Sequence, residues 1–310
     1  MKELEFTLTA EQQGRLDKCL ADLLPDTSRT RLAGLIKAGC VSVDGETVTL
    51  PRLTVQGGML LQVRLPEAPP AEVAPEPFDF DILYEDEFLL VIDKPAGVVV
   101  HPAAGNPNGT VVNALLGRYP GMAAQFGPEA AARPGIVHRL DKETSGCLAI
   151  AKTPDALYKL SKAFADRNTA KTYLAICRGV PRQLQGELRT LIGRHTVNRQ
   201  KMAVVERNGK PAHTAYKIMA QKVINDIPLA LAEVRIFTGR THQIRVHMAS
   251  LGLPVLGDAV YGRHTDFPGV ERQMLHAWKL SLPHPVTGEI LNFTAPIPAD
   301  FERTKELLLG

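Results

Sequence analysis

A proline-rich, acidic segment constrains the fold more than any other feature of the sequence. Residues 66–77 read PEAPPAEVAPEP and contain five prolines, three glutamates and no aromatic residue. Because proline lacks a backbone N–H and fixes φ, this segment can form neither a helix nor a central strand. We therefore predict an extended linker over residues 65–80, between a small domain (1–64) and a large domain (81–310).

Charge is distributed unevenly along the chain. Residues 1–64 carry eight Lys or Arg and eight Asp or Glu, whereas residues 65–93 carry nine acids and no base. From Lys94 onward there are 28 Lys or Arg against 16 Asp or Glu, and all nine histidines lie in this part. A basic body is typical of proteins that bind a polyanion, because neutralised phosphates release counterions. On charge alone, an ordinary solvated surface is an equally good interpretation.

The sequence argues against several classes of protein. No window approaches the roughly 18 apolar residues of a membrane span, and the start, MKELEF, resembles neither a secretory signal nor a transit peptide. The four cysteines are far apart without a CxxC pair, which indicates buried thiols rather than disulfides or a zinc site. They are Cys19, Cys40, Cys147 and Cys177. We expect a cytoplasmic, monomeric protein with no membrane association.

The small domain is predicted to contain two helices and a hairpin. Leucines at helical spacing indicate a first helix that ends at Pro25, and Ser28 is the candidate N-cap of a second helix that ends at Gly39. Alternating residues around Asp44-Gly45 predict the hairpin.

The order of motifs RLDKxL, SR and IKxGxVxVDG resembles the RNA-binding domain named after small-subunit ribosomal protein S-four. That resemblance implies a module that reads RNA shape and phosphates. Its candidate RNA-contacting residues are Arg15, Lys18, Ser28 and Arg29. A helical module that docks onto a protein is the alternative, and the domain's net charge of zero is the main point in its favour.

Apolar runs in the large domain predict clustered strands with few helices between them, which favours an α+β fold over regular βαβ winding. The strand-like runs are 88–92, 147–151, 173–177, 229–237 and 243–247. Thr153 followed by Pro154 predicts the N-cap and first turn of a helix through about Asp166. Neither a Walker-type loop nor a GxGxxG fingerprint follows a predicted strand.

A polar loop joins two of these apolar segments. Residues 138–144 (HRLDKET) contain one apolar side chain, Leu140. A polar loop held by buried strands is a usual place for a functional site. The residue types alone leave two interpretations open. His138, Arg139 and Asp141 either carry function or only hydrogen-bond within the loop.

The segment HRLDKETSG resembles the HRLDxxTSG motif of the RluA-type pseudouridine synthases, and the other family motifs follow in the family's order. They are IDKPAGVVVHP (92–102), KTYLAI (171–176), TGRTHQIRVHMA (238–249), GLPVLGDAVYG (252–262) and LHAWKLSLPHPVTGE (275–289). The run GNPNGTVVNAL (105–115) resembles the branch that modifies large-subunit ribosomal RNA. The resemblance implies a mixed, largely antiparallel sheet and site-specific isomerisation of uridine to pseudouridine in 23S ribosomal RNA.

The resemblance also implies roles for individual residues. Asp141 corresponds to the family's essential carboxylate, and Arg245 to the arginine that pairs with it. Tyr173 matches the aromatic residue that stacks on the flipped uracil, and Arg139 the arginine that helps to extrude the nucleotide. A carboxylate can trap positive character at C1′ or remove a sugar proton, and both mechanisms stay open.

Residues 194–210 are basic with a single acid, and we interpret them as an RNA-facing loop and hairpin that orders on contact. An exposed hairpin without that role is the alternative. The candidate RNA contacts are Arg194, Arg199 and Lys201.

The histidines do not predict a metal site. His242 and His247 are five positions apart without an HExxH pattern, and His101 and His138 have no partner at ligand spacing. Hydrogen-bonding or core roles are favoured instead. Because the implied isomerisation involves no net redox change, we expect neither a metal nor a cofactor.

Two other functions are compatible with parts of the sequence. One is an RNA-binding assembly factor with an inactive body, against which Asp141, Tyr173 and Arg245 argue. The other is a nucleic-acid glycosylase, which would share a carboxylate and base flipping. The sequence contains no glycosylase motif.

Overall fold

The chain forms two compact units, Met1–Glu72 and Val73–Gly310. The computed structural model describes the residues 2–24, 27, 29–65, 73–77, 79–103, 105–126, 133–198, 201–262 and 267–310, without the side chains of Lys2 and residues 29–31.

The N-terminal unit contains two helices and an antiparallel sheet in the order β1-β6-β3-β4, and the short strands β2 and β5 pair with each other. The elements are β1 (Lys2–Thr7), β2 (Gly14–Arg15), α1 (Leu16–Leu23), α2 (Arg29–Lys37), β3 (Val41–Val43), β4 (Glu46–Val48), β5 (Thr54–Val55) and β6 (Leu60–Leu65).

Both predicted helices of this unit are confirmed. Leu16 and Leu20 of α1 and Leu32 and Ile36 of α2 are fully buried in one hydrophobic cluster with residues of the sheet. Their helical spacing places each pair on one face, so burial of that face stabilises the helix. The predicted N-cap, Ser28, lies outside the described residues.

The predicted hairpin is confirmed between β3 and β4. Its turn residues Asp44 and Gly45 have φ values of 49° and 82°. A two-residue type I′ turn requires positive φ at both positions, which explains the Asp-Gly pair. The Asp44 carboxylate also accepts a hydrogen bond from the Leu60 N–H at 2.8 Å, which ties the turn to β6.

The C-terminal unit is built on a ten-stranded sheet in the order β12-β11-β13-β14-β10-β15-β9-β8-β7, with β16 also paired to β15. Among the described strands of this sheet only β15 and β9 pair in parallel, so the predicted mixed, largely antiparallel sheet is confirmed. The elements are β7 (Asp81–Glu85), β8 (Leu89–Lys94), α3 (Val111–Arg118), α4 (Met122–Gln125), β9 (Ser145–Ala151), α5 (Pro154–Ala165), β10 (Ala170–Arg178), β11 (Gln185–Arg194), β12 (Met202–Val205), β13 (Lys210–Ile224), β14 (Ile227–Ile236), α6 (Gln243–Ser250), β15 (Leu275–Pro283), β16 (Ile290–Thr294) and α7 (Ala299–Leu309).

The strands β8 and β9 are buried on both faces. In β8, Leu90 and Ile92 pack in one hydrophobic cluster, whereas Leu89 and Val91 pack in another. Successive side chains of a strand point to opposite faces of the sheet. A strand covered on both faces therefore has an uninterrupted apolar sequence. This explains the apolar runs 88–92 and 147–151, whose predicted strands are confirmed as β8 and β9.

The predicted helix after β9 is confirmed as α5. The Thr153 hydroxyl accepts a hydrogen bond from the Ala156 N–H at 3.2 Å, and Pro154 occupies the first helical position. No helix in the described part of the chain is long and apolar enough to cross a membrane.

The strand predicted at 243–247 is wrong, because these residues form the start of helix α6. Both Ile244 and Val246 are buried, but in different clusters, so the helix is covered nearly all round. Its polar residues Gln243, Arg245 and His247 are buried as well, so the helix has no exposed polar face, and its short sequence alternates like a strand. The side chain of Gln243 is satisfied within the protein. It accepts a hydrogen bond from the Thr238 hydroxyl at 2.7 Å and donates one to the Thr214 hydroxyl oxygen at 2.9 Å.

Residues 73–77 of the segment predicted as a linker belong to the C-terminal unit. They are hydrogen-bonded to helix α3, where the Glu76 N–H donates to the Asn113 carbonyl at 2.9 Å. The Asn113 amide donates to the Ala74 carbonyl at 2.9 Å. Residues 66–72 lie outside the described residues.

Candidate active site

The polar loop 138–144 forms one wall of a pocket of about 300 Å³ in the C-terminal unit. The other walls come from β10, the end of α5, α6 and the turn that precedes α6, together with single residues of β14 and β15. The four residues predicted for the substrate site all line this pocket, although Asp141 and Arg245 lie 104 positions apart in the chain. They are Arg139, Asp141, Tyr173 and Arg245.

A buried lysine holds the loop in place. Lys94 is fully buried at the end of β8, and its Nζ donates to the carbonyls of Pro95, Val98 and Lys142 at 2.6, 2.8 and 3.1 Å. Burial lowers the pKa of Lys94 to about 7. Because three acceptors require all three ammonium protons, we assign the charged form. Lys94 thereby links the KPAG turn to the residue next to Asp141.

Glycine is required where the loop enters β9. Gly146 has a φ of 111°, and a Cβ there would overlap the backbone of Ala277. This close approach occurs where β9 and β15 pair in parallel, at Gly146 and Ala277. The glycine of the TSG segment therefore lets two central strands meet beside the loop.

Arg245 binds two carboxylates at once. Its Nη1 lies 2.9 Å from Asp141 Oδ2, and its Nε and Nη2 contact the two oxygens of Asp258 at 2.7 and 2.9 Å. The guanidinium fork fits a carboxylate in two parallel hydrogen bonds. The bidentate pair with Asp258 thus fixes the fork so that its third nitrogen faces Asp141.

Asp258 is almost completely buried, with 1 % of its surface exposed. Burial acts to raise the pKa of Asp258, but hydrogen bonds and charge from Arg245 outweigh it and lower that pKa. The backbone N–H groups of Val260 and Tyr261 also donate to this carboxylate. Asp258 is therefore an ionised partner that positions Arg245.

Tyr173 is a pocket residue that is 7 % exposed. Burial raises the pKa of Tyr173, and the nearby charge of Asp141 adds to this effect. Among the described residues none hydrogen-bonds its hydroxyl. The tyrosine therefore presents a neutral aromatic ring within the pocket.

The neighbours of Asp141 in the loop differ in their surroundings. Arg139 is exposed and lines the pocket. His138 Nε2 accepts a hydrogen bond from the Ala149 N–H at 2.9 Å, and its ring stacks on Phe164 at 4.7 Å between centroids. Burial lowers the pKa of His138 to about 3. His138 thus contributes to structure as a neutral ring, while Arg139 is free to meet a ligand at the surface.

Three residues in or near the pocket were not among the predicted site residues: Asp258, Tyr261 and His242, for which only a hydrogen-bonding or core role was expected. They lie in the TGRTHQIRVHMA and GLPVLGDAVYG segments. Hydrophobic periodicity does not indicate these residues, because the side chains that they contact, such as Arg245 for Asp258, are distant in sequence. Within the described ranges, no group of His, Cys, Asp or Glu forms a metal-binding arrangement.

Two of the four candidate RNA-contacting residues of the N-terminal unit, Arg15 and Lys18, have described side chains. Lys18 is exposed on α1, and Arg15 is half-exposed and bound to Asp17 at 2.9 Å. The Arg29 side chain and Ser28 lie outside the described residues. RNA contact at these positions stays a prediction.

The predicted hairpin within 194–210 forms between β11 and β12, where Arg194 pairs with Met202. Arg194 is exposed, and Lys201 is partly buried directly before β12. Arg199 lies outside the described residues. The Met202 N–H donates to the Tyr261 hydroxyl oxygen at 2.8 Å, so the base of the hairpin contacts a residue beside the pocket.

Comparisons with known families agree with this fold and pocket. Residues 88–250 match the RNA pseudouridylate synthase family, and residues 14–61 match the S4 domain. An RNA pseudouridine synthase of Synechocystis is 44% identical over 93% of this chain and 87% of its own length. The chain therefore belongs to the RNA pseudouridylate synthase family, as the motifs implied.

Other relatives carry more specific names. The ribosomal large subunit pseudouridine synthase D of Zymomonas mobilis is 44% identical and covers 98% of this chain and 97% of its own length. The protein of that name from Pseudomonas aeruginosa is 43% identical, covering 96% of this chain and 92% of its own. The solved structure of human RNA pseudouridylate synthase domain containing 4 matches with a TM-score of 0.57 at 28% identity, over 74% of this chain and 93% of that one.

Proposed function

We propose that this protein isomerises uridine to pseudouridine in large-subunit ribosomal RNA, with Asp141 as the catalytic carboxylate. The observation that carries the proposal is the Asp141–Arg245 ion pair, at 2.9 Å, in the same pocket as Tyr173. A carboxylate, its fixed counterion and a neutral ring are the groups that cleavage of a flipped nucleoside requires.

The reaction has two bond changes at one sugar carbon. The N1–C1′ bond breaks, and its electron pair leaves with the uracil. Asp141 then either bonds to C1′ or removes the C2′ proton, and either path relieves the electron deficiency at C1′. After the uracil turns, C5 bonds to C1′ while Asp141 either leaves C1′ with its electron pair or returns the proton to C2′. C5 then loses its proton and N1 gains one. Atoms and charge balance without an oxidant or a cofactor.

Arg245 supports this chemistry by holding Asp141 in one orientation. Its Nε and Nη2 donate to Asp258, so the cation is shared between two carboxylates. Asp141 has 19% of its side chain exposed, which leaves it accessible from the pocket. Its second oxygen, Oδ1, is the natural candidate to face the sugar.

Tyr173 provides a stacking surface for the uracil in this proposal. We expect Tyr173→Phe to keep much of the activity and Tyr173→Ala to lose most of it, because stacking contributes roughly 1–3 kcal/mol, or about 5- to 150-fold in rate. Single-turnover rates on large-subunit RNA measure both variants, and thermal unfolding checks that the buried site tolerates alanine. Equal losses in the two variants would contradict stacking as the main role.

The choice of large-subunit RNA is supported by the names of the relatives and by the S4 domain match. It is tested with transcripts of large- and small-subunit RNA labelled with [5-³H]uridine, since C5 loses its hydrogen in the reaction. We expect tritium release from the large-subunit transcript only. Release of free uracil would favour a glycosylase, and no reaction with either RNA would favour an assembly factor.

The N-terminal unit is proposed to target the enzyme to its RNA. We expect deletion of residues 1–64 to weaken binding of large-subunit RNA by about tenfold or more, since several phosphate contacts are lost together. Filter binding at fixed salt measures the change, and thermal unfolding verifies that the remaining body is folded. Unchanged binding and kinetics on intact ribosomal RNA would refute a targeting role.

A further inference from the structure

His242 has an unusual backbone conformation beside the catalytic carboxylate. It precedes α6 with φ 56° and ψ 22°, in the left-handed region that non-glycine residues rarely adopt. Its side chain lines the pocket, and its Nε2 lies 3.9 Å from Asp141 Oδ1. Strained backbone of this kind persists where the surrounding structure enforces it, often at functional sites.

A chain of hydrogen bonds determines which imidazole nitrogen carries the proton. The Met202 N–H donates to the Tyr261 hydroxyl oxygen at 2.8 Å, and that hydroxyl lies 2.8 Å from His242 Nδ1. Because the hydroxyl oxygen already accepts from Met202, we assign its own proton to the hydrogen bond with Nδ1, so that the neutral ring carries its proton on Nε2.

The surroundings of His242 favour this neutral form. Burial lowers the pKa of His242, and although Asp141 and Asp258 act to raise it, Arg245 and Arg139 act to lower it. The Tyr261 ring lies edge-on to the imidazole at 5.6 Å between centroids. His242 thus offers the pocket a fixed N–H donor rather than a mobile positive charge.

We propose that His242 is a further catalytic residue, whose Nε2–H donates a hydrogen bond to a carbonyl oxygen of the uracil as the glycosidic bond breaks. The leaving uracil carries negative charge that spreads from N1 onto its carbonyl oxygens. A preorganised neutral donor stabilises such charge without transferring a proton. This inference rests on the proposed role of Asp141.

Two substitutions of His242 distinguish the effect of its N–H donor from the effect of its left-handed backbone conformation. Asparagine tolerates the left-handed region but is too short to place an N–H at the Nε2 position, whereas the glutamine amide can reach it. We expect His242→Asn to lower the single-turnover rate on [5-³H]uridine-labelled large-subunit RNA about 100-fold, the loss typical of one such donor. His242→Gln should lose about tenfold or less, and RNA affinity should change less than about twofold in both.

Tyr261→Phe provides an independent test that leaves His242 in place. It removes the hydroxyl that holds the proton on Nε2, so we expect a rate loss of about tenfold with unchanged RNA affinity. If His242→Asn fails to fold by thermal unfolding, this variant decides the question. An unchanged rate in Tyr261→Phe would then overturn the proposal.

Other results also contradict the inference. A His242→Asn rate within about threefold of wild type would overturn it, as would equal losses in the Asn and Gln variants accompanied by weaker RNA binding. Asp141→Asn is measured in parallel. If that variant is inactive while His242→Asn is fully active, only the role of His242 fails. If Asp141→Asn is active, the proposed function fails and this inference with it.

Discussion

Asp141→Asn is expected to lower the single-turnover rate of pseudouridine formation on the order of 10⁴-fold or more, the scale found when an enzyme loses its central reactive group. The amide has the shape of the carboxylate but can neither stabilise or trap C1′ nor remove a sugar proton. Arg245 stays held by Asp258 through two hydrogen bonds at 2.7 and 2.9 Å, so the pocket should keep its geometry.

The measurement is tritium release under saturating enzyme, with filter binding for RNA affinity and thermal unfolding for stability. Glu143→Gln is the matched control, because it neutralises another acid of the same loop and should retain a rate within about threefold of wild type. RNA affinity and unfolding temperature of Asp141→Asn should stay close to wild type. A rate within about tenfold of wild type would contradict the role of Asp141.

Arg245→Met is the second variant with a large expected effect. It leaves the buried Asp258 without its counterion, and removing one partner of a buried ion pair lowers the free energy of unfolding by about 3–5 kcal/mol. It also releases Asp141, so we expect a rate loss of about 10³-fold in the fraction that stays folded. Chemical denaturation and single-turnover kinetics measure the two effects separately.

A double variant separates the structural role of Arg245 from its role at Asp141. Adding Asp258→Asn to Arg245→Met removes the unpaired buried charge, so at least half of the lost stability should return. Activity should not return, since Asp141 still lacks its partner. Arg245→Lys is the control for charge without the planar fork, and we expect it to fall between Arg245→Met and wild type. Recovery of activity together with stability would show that Arg245 acts only on the fold.

The strands around the site were predictable because they are buried on both faces. The apolar sequences of β8 and β9 differ clearly from the polar loop that carries Asp141, so both the strands and the loop could be predicted. The helix α6 was not predictable from periodicity, since it is short and covered nearly all round. Hydrophobic alternation then carries no information about which backbone conformation is adopted.

The partners within the site are set by tertiary structure. The motifs implied that Asp141 meets Arg245, and the structure contains that ion pair. The fixing of Arg245 by Asp258, and of His242 by Tyr261, depends on turns whose residues have no periodic pattern. The residues of these two pairs are 13 and 19 positions apart in the sequence, so their contact can be identified only in the folded structure.

The most direct test of the account is to map pseudouridine in ribosomal RNA treated with the purified protein. Deproteinised large-subunit RNA is incubated with wild type or Asp141→Asn, and carbodiimide-resistant primer-extension stops are compared. We predict new stops at specific uridines with wild type and none with Asp141→Asn. The same stops with both proteins, or none with either, would contradict an enzyme in which Asp141 isomerises uridine.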